Sequence, residues 1–137
     1  MLATSGSEGL IEVVPEAHNV SSVLAEHGSI SMFLMRNNKH QASHSDAVDN
    51  YIRSCAGYSI VTFFLGVGDR HLDNILITND GKLFHVDFGF ILGNDPKPMP
   101  PAVRLTQEMI EVHWSHMVLL FVFYFALIVF NTGNGWS

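Results

Sequence analysis

From Val48 onward, apolar or helix-compatible side chains return every three or four residues: Val48, Tyr51, Ile52, Cys55, Tyr58, Thr62 and Leu65. That spacing marks one face of a helix. Beyond Cys55 nearly every position is apolar, which predicts the buried axle of the fold. Gly66 and Gly68 are expected to end it. At its other end Ser43 followed by Asp46 predicts a capping box, and the polar stretch Asn37–His44 predicts a surface loop. Upstream, Gly9–Pro15 reads as a short strand, with β-branched residues between a Gly and a Pro. Asn19 predicts the cap of a helix running to about His27, where Gly28 stops it. Ser29 then starts a second short helix with Ile30, Phe33 and Leu34 on one face. Downstream, Ile75–Thr78 and Lys82–Val86 have strand composition and are joined by Asn79-Asp80-Gly81, a strong hairpin signal. Gly89–Arg104 holds four prolines and predicts an extended loop. Helices, a long buried helix, a loop, a hairpin and a Pro-rich loop together predict an α+β domain.

Composition narrows the functional classes. The chain has 137 residues, 47% hydrophobic and 15% charged, which excludes a disordered polymer and suits one domain. Its seven Lys and Arg are scattered and the net charge is −6, so no basic stripe points to a nucleic acid. Cys55 is the single cysteine, so no intramolecular disulfide is possible and a reducing compartment is the natural setting. Met1–Gly9 lacks the basic and apolar regions of a signal peptide. Met117–Phe130 is an unbroken apolar and aromatic run flanked by Trp114 and Trp136. It falls short of the ~20 residues a membrane span needs, so a buried element is the leading reading and interfacial affinity the second.

Polar chemistry concentrates where the structure is expected to change. Gly68-Asp69-Arg70-His71-Leu72-Asp73-Asn74 follows the long helix, and Asp87-Phe88-Gly89 follows the hairpin. A hairpin folds its ends together, so Asn74 and Asp87 should share one mouth. Amide and carboxylate oxygens there suit Mg²⁺, which takes few protein ligands and keeps phosphate and water in its other positions. His71 and Asp69 are placed to accept a proton from an attacking hydroxyl. Taken singly, each of these residues is better read as structural, because Asp-rich loops beside glycines are common turns. The two motifs at this separation, with a hairpin between them, fit phosphoryl transfer. His85-x-Asp87 and His113-x-x-His116 lack further ligands at zinc spacing. His18, His27, His40 and His44 read as surface loop or cap residues, and Cys55 as inert packing.

The order Asp69-Arg70-His71 before Asn74 reverses the His-Arg-Asp of protein kinases. With Ser54–Ser59, Leu65–Asn74 and Phe84–Gly93, it resembles the phosphoinositide 3- and 4-kinase family. Asp95-Pro96-Lys97-Pro98-Met99-Pro100-Pro101 is similar to the class III, vacuolar-protein-sorting type. The resemblance spans roughly Gly9–Glu111 and implies a partial catalytic domain built like a protein-kinase C-lobe, from hinge to activation loop. Residues 1–8 would be a tail and 112–137 a hydrophobic segment without family character.

What the resemblance implies for single residues is specific. Glu12, Val13 and Val14 match the hinge that pairs with the adenine of ATP. His71, helped by Asp69, matches the group that deprotonates the inositol 3-hydroxyl. Asn74 and Asp87 match ligands of Mg²⁺, with Mn²⁺ as a substitute. Arg70 braces the loop, His85 is a buried or hydrogen-bonded part of the pattern, and Lys97 and Arg104 fall in the segment that selects the lipid headgroup. Few cations in that loop suit phosphatidylinositol without further phosphates. Asn94 departs from the pattern, standing where the class III loop usually has Arg. The implied protein works from the cytoplasm on endosomal or autophagic membranes with regulatory subunits. The phosphate-covering loop and Lys of an N-lobe are not expected in the eight residues before the hinge. An alternative or retained-intron transcript end would account for Val112–Ser137. The polypeptide alone is then expected to be an inactive fragment. The alternative reading is a non-catalytic piece that binds a partner or a membrane.

Overall fold

The computed structural model describes residues 2–96, 98 and 105–112. Helices and small antiparallel sheets alternate along the chain. β1 (Leu2–Ala3) and β2 (Gly9–Leu10) form a separate two-stranded ribbon. β3 (Ala17–Asn19), β4 (Ile75–Thr78) and β5 (Leu83–His85) form an antiparallel sheet in the order β3-β4-β5. Between β3 and β4 come α1 (Val20–His27), α2 (Ile30–Asn37) and α3 (Gln41–Phe64), and α4 (Gln107–Ile110) comes last.

The first two helices start and stop where local chemistry directs. The Asn19 side chain accepts from the Ser22 amide at 2.9 Å, and Ser29 Oγ accepts from the Met32 amide at 3.1 Å. Each satisfies an amide that has no partner within its helix, worth about 1 kcal/mol. Gly28 closes α1 at φ 79, a left-handed conformation that glycine adopts without a Cβ clash.

α3 starts earlier than its composition suggests. It begins at Gln41, with His40 as a cap that makes no side-chain bond, so the polar loop shrinks to Asn38–His40. Ser43 is not a cap: inside the helix, its hydroxyl donates back to the His40 carbonyl at 2.9 Å. Gln41 and Ala42 are good helix formers and extend the helix over the expected capping box.

The expected strand Gly9–Pro15 is also cut short. Only Gly9 and Leu10 pair, opposite Ala3 and Leu2. Ile11–Pro15 has no paired neighbour among the described residues, Pro15 has no amide to donate, and Glu16 turns the chain at φ 54. Pairing resumes at β3, with Ala17, His18 and Asn19 opposite Thr78, Ile77 and Leu76.

The core lies between the sheet and the helices. Val20, Val23, Ile30, Phe33, Leu34, Tyr51, Cys55, Ile75, Ile77, Leu83 and Met109 are all buried. Each large apolar side chain among them contributes about 1.5–3 kcal/mol by leaving water. Tyr51 donates from its hydroxyl to the Met109 carbonyl at 2.8 Å, which ties α4 to α3. Cys55 is a free, buried thiol, and burial pushes it up to about 11, as an inert packing role requires.

The hairpin is fastened to α3 by its turn and its second strand. Asn50 Nδ2 donates to the Asp80 carbonyl at 3.0 Å, and the Leu83 amide donates to Ser54 Oγ at 2.9 Å. Gly81 sits at φ 88 directly against the helix backbone, where no Cβ fits.

The far end of α3 differs from the all-round burial expected beyond Cys55. Ala56, Ser59, Ile60 and Thr62 are buried, but Val61, Phe64 and Leu65 are 45–52% exposed. No helix among the described residues is long and apolar enough to cross a membrane. The run Met117–Phe130 and His113 and His116 lie outside the described residues.

Candidate functional site

The hairpin does bring its two ends together. Ile75 pairs with His85, and one step further out the Val86 amide donates to the Asn74 carbonyl at 3.0 Å. Asn74 and Asp87 therefore flank the same open end of the β4–β5 ladder.

Their side chains are arranged to leave oxygens available. Asn74 Nδ2 donates to the Asp69 carbonyl at 3.2 Å, which fixes the amide so that its oxygen is the remaining polar atom. Asp87 is exposed, and its Oδ1 accepts from the Gly89 amide at 3.1 Å. That bond holds the carboxylate while leaving its second oxygen uncommitted by any bond described. One amide oxygen and one carboxylate oxygen, both hard donors, fit the needs of a small divalent cation that retains other ligands. Among the described residues no cluster of three or more His, Cys, Asp and Glu side chains is placed to hold a metal.

The loop between α3 and β4 carries the proton-accepting candidates. His71 lies between two carboxylates, with Nε2 3.8 Å from Asp69 Oδ2 and Nδ1 3.5 Å from Asp73 Oδ2. Both separations are too long for firm hydrogen bonds, and Nδ1 is buried without a hydrogen-bond partner among the described residues. Asp73 is also held from outside the loop, because Ser21 Oγ at the start of α1 donates to Asp73 Oδ1. Sequence reasoning gave Asp73 no role, because nothing in its spacing shows that Ser21 comes to meet it.

Two of these acidic residues have unusual backbones. Asp69 has φ 49 and Asp87 φ 60, both in the left-handed region that non-glycine residues seldom occupy. Such conformations cost about 1–3 kcal/mol each and persist where surrounding structure fixes them, commonly at functional sites.

Arg70 and His85 form the underside. Both are buried, each 8% exposed. Burial first, and then the Arg70 charge, push the His85 imidazole down to about 4, so it is neutral near pH 7. Its ring stacks on Tyr58 at 5.5 Å and 16°. The burial of His85 agrees with its expected place in the pattern.

The other predicted site residues are placed differently. Glu12, Val13 and Val14 are exposed and outside any strand or helix, and Val13 is 85% exposed. The chain that follows them meets the hairpin at its turn, where the Asn79 amide donates to the Glu16 carbonyl at 3.3 Å. That is the opposite end of the hairpin from Asn74 and Asp87. Lys97 and Arg104 lie outside the described residues.

Comparison with known proteins identifies the family. Residues 7–119 match the family model described as phosphatidylinositol 3- and 4-kinase. The chain is 49% identical over 117 residues to phosphatidylinositol 3-kinase VPS34 of Arabidopsis thaliana, a match covering 81% of this chain and 14% of that protein. It is 50% identical over 119 residues to phosphatidylinositol 3-kinase pik3 of Schizosaccharomyces pombe, covering 81% and 15%. Over a shorter stretch of 67 residues it is 66% identical to the phosphatidylinositol 3-kinase catalytic subunit type 3 of Caenorhabditis elegans, covering 49% and 7%. The chain thus spans about one-seventh of the length of the first two relatives. With the match covering most of its length, the chain belongs to the phosphatidylinositol 3- and 4-kinase family of lipid kinases.

Proposed function

We propose that these residues form the metal-binding and proton-accepting part of a phosphatidylinositol 3-kinase, on a fold corresponding to a protein-kinase C-lobe. One observation carries the reading. The β4–β5 hairpin sets Asn74 beside Val86 and Asp87, while the same Asn74 amide is tied to the carbonyl of Asp69 in the loop holding His71. These bonds link the proposed metal ligands to the loop of the proposed proton acceptor.

In the proposed reaction the γ-phosphoryl group of ATP passes to the inositol 3-hydroxyl of phosphatidylinositol, the bond to the β-phosphate oxygen breaks and ADP leaves. The hydroxyl proton goes to the His71 ring, whose new positive charge faces the carboxylates of Asp69 and Asp73. Asn74 and Asp87 would hold Mg²⁺, which when bound neutralises charge on the phosphates. The exposed main chain of Glu12–Val14 would meet the adenine edge. Lys97 and Arg104 would face the headgroup, and so few cations favour an inositol without further phosphates. Action on endosomal or autophagic membranes, from the cytoplasm and with regulatory subunits, belongs to the same reading.

A chimera tests it. Residues 9–111 replace the matching segment of the Arabidopsis relative, and labelled lipid product is measured from Mg²⁺-ATP and phosphatidylinositol vesicles. The expected result is 3-phosphorylated lipid from the chimera and at least a ~100-fold loss with Asp87→Ala or His71→Ala, the scale of an acid–base or metal contribution. Product unaffected by both substitutions would overturn the assignment.

A further inference from the structure

Asp95 lies among the prolines of the loop after Asp87, 26 residues from Asp69. Its carboxylate nevertheless enters the Asp69–Asn74 loop. Asp95 Oδ2 accepts from the Asp69 backbone amide at 3.2 Å. The Asp69 carbonyl in turn accepts from the His71 amide at 3.0 Å and from Asn74 Nδ2 at 3.2 Å. The main chain of Asp69 is thus a junction, with its amide anchored by Asp95 and its carbonyl orienting two functional residues.

That junction needs an anchor, because Asp69 has φ 49 and a left-handed L-residue relaxes unless it is held. The approach of Asp95 is possible because position 68 has no side chain. A Cβ on Gly68 would lie 2.8 Å from Asp95 Oδ2 and 2.8 Å from the Asn94 carbonyl oxygen. The preceding residues are laced together by main-chain bonds. The Gly68 amide donates to the Phe90 carbonyl at 2.7 Å, the Leu92 amide to Leu65 at 2.7 Å, and the Gly93 amide to Gly66 at 3.0 Å. This lacing delivers Asp95 to the junction.

From this geometry we infer that Asp95 is a positioning residue for phosphoryl transfer. Its part is to hold the Asp69 backbone and thereby set the Asn74 amide oxygen and the His71 ring. The inference rests on the lipid-kinase reading for its purpose, whereas the hold on Asp69 is a property of the fold alone.

Amide hydrogen exchange on the 137-residue chain, followed by NMR, separates the two. In Asp95→Ala the Asp69 amide should exchange about tenfold faster, as loss of a charge-assisted bond implies, and the Asn74 side-chain NH₂ signals should shift. The amides of Tyr51 and Cys55 in α3 should keep their rates. Asp95→Asn keeps an acceptor oxygen and should stay within about threefold of the parent chain. Gly68→Ala displaces the carboxylate from the other side, and its effect combined with Asp95→Ala should fall below the product of the two singles. An unchanged Asp69 rate in both single variants overturns the inference, and so does equal acceleration at Tyr51 and Cys55, which would mean general loosening.

Mn²⁺-ATP is the probe for the second half. Paramagnetic broadening at Asn74 and Asp87 that needs several-fold more Mn²⁺-ATP in Asp95→Ala supports positioning. Equal broadening in both chains overturns it. No broadening in the parent chain would defeat the metal-site reading itself, leaving the exchange rates to decide whether Asp95 holds the loop.

Discussion

Replacing Gly81 with alanine should damage this fold more than a methyl group added at any other glycine among the described residues. Gly81 closes the β4–β5 turn at φ 88, with its amide donating to the Thr78 carbonyl at 2.9 Å. An added Cβ would overlap the Ala47 carbonyl oxygen and lie 2.8 Å from the carbonyl carbon. Both atoms belong to the backbone of α3 and cannot swing away as a side chain does. The left-handed conformation alone costs an alanine about 1–2 kcal/mol. Relieving the overlap means lifting the turn from the helix. That breaks the Asn50–Asp80 hydrogen bond, worth about 1 kcal/mol, and exposes part of Leu83, worth about 1–2 kcal/mol. The sum is about 3–5 kcal/mol, a large share of the 5–15 kcal/mol of a typical domain. Thermal unfolding should show a Tm about 10–15 °C lower. Gly6→Ala is the control, since that site is open and has no positive φ, and its Tm should move by less than about 2 °C. A Gly81→Ala chain melting with the control would refute the close docking of hairpin on helix.

The opposite sign is expected at Gly57, an interior position of α3 with open space around it: Gly57→Ala should raise stability by about 0.5–1 kcal/mol in urea unfolding. Cys55 should resist a thiol reagent at pH 8 at a rate set by unfolding, and urea should accelerate labelling steeply. Its folded value of about 11 lies above the ordinary 9, so the folded state binds that proton more tightly. The resulting stability is present below pH 9 and lost as pH rises from 9 toward 11, and Cys55→Ala should remove this loss from pH-dependent unfolding curves. The 137-residue chain by itself should transfer no measurable phosphate to phosphatidylinositol. Near the site, Arg70 is the only cation among the described residues and it is buried, so those residues offer the phosphates no positive clamp of the kind on which such transfer depends. Labelled lipid formed by the pure chain and lost in Asp87→Ala would refute that expectation.

The parts legible in the sequence were those fixed by neighbours along the chain. Asn19, Gly28 and Ser29 act within one helical turn, and Asn79-Asp80-Gly81 sets a hairpin whose ends must meet, which is why the pairing of Asn74 with the strand before Asp87 was predictable. Errors arose where a local signal had a stronger competitor. The Ser43–Asp46 pattern lost to a helix that Gln41 and Ala42 could already start, and Gly9–Pro15 lacked an edge on which to be a strand. The third strand of the sheet was invisible: Ala17, His18 and Asn19 have no β-branched residue, and Asn19 also caps α1. The contacts of Asp95 with Asp69 and of Ser21 with Asp73 join irregular segments far apart in sequence, and no periodicity encodes them.

The two left-handed aspartates explain why the site needs so much irregular chain around it. Asp69 and Asp87 each follow a regular element closely, Asp69 after α3 and Asp87 after β5, and each reverses its backbone at a positive φ. A residue continuing the helix or the strand would direct its side chain along that element's periodicity, back toward the sheet or the core. The reversals free both carboxylates from that periodicity and leave Asp87 exposed and Asp69 half-buried at the open end of the hairpin. Glycine would make such turns without strain but has no carboxylate, so the strain must be offset by bonds elsewhere. Gly89 supplies one to Asp87, and Asp95 supplies one to Asp69. On this view the post-Asp87 loop and the Asp69–Asn74 loop are one mechanical unit, because the post-Asp87 loop supplies both partners, Gly89 and Asp95, that keep the two aspartates in their working conformations.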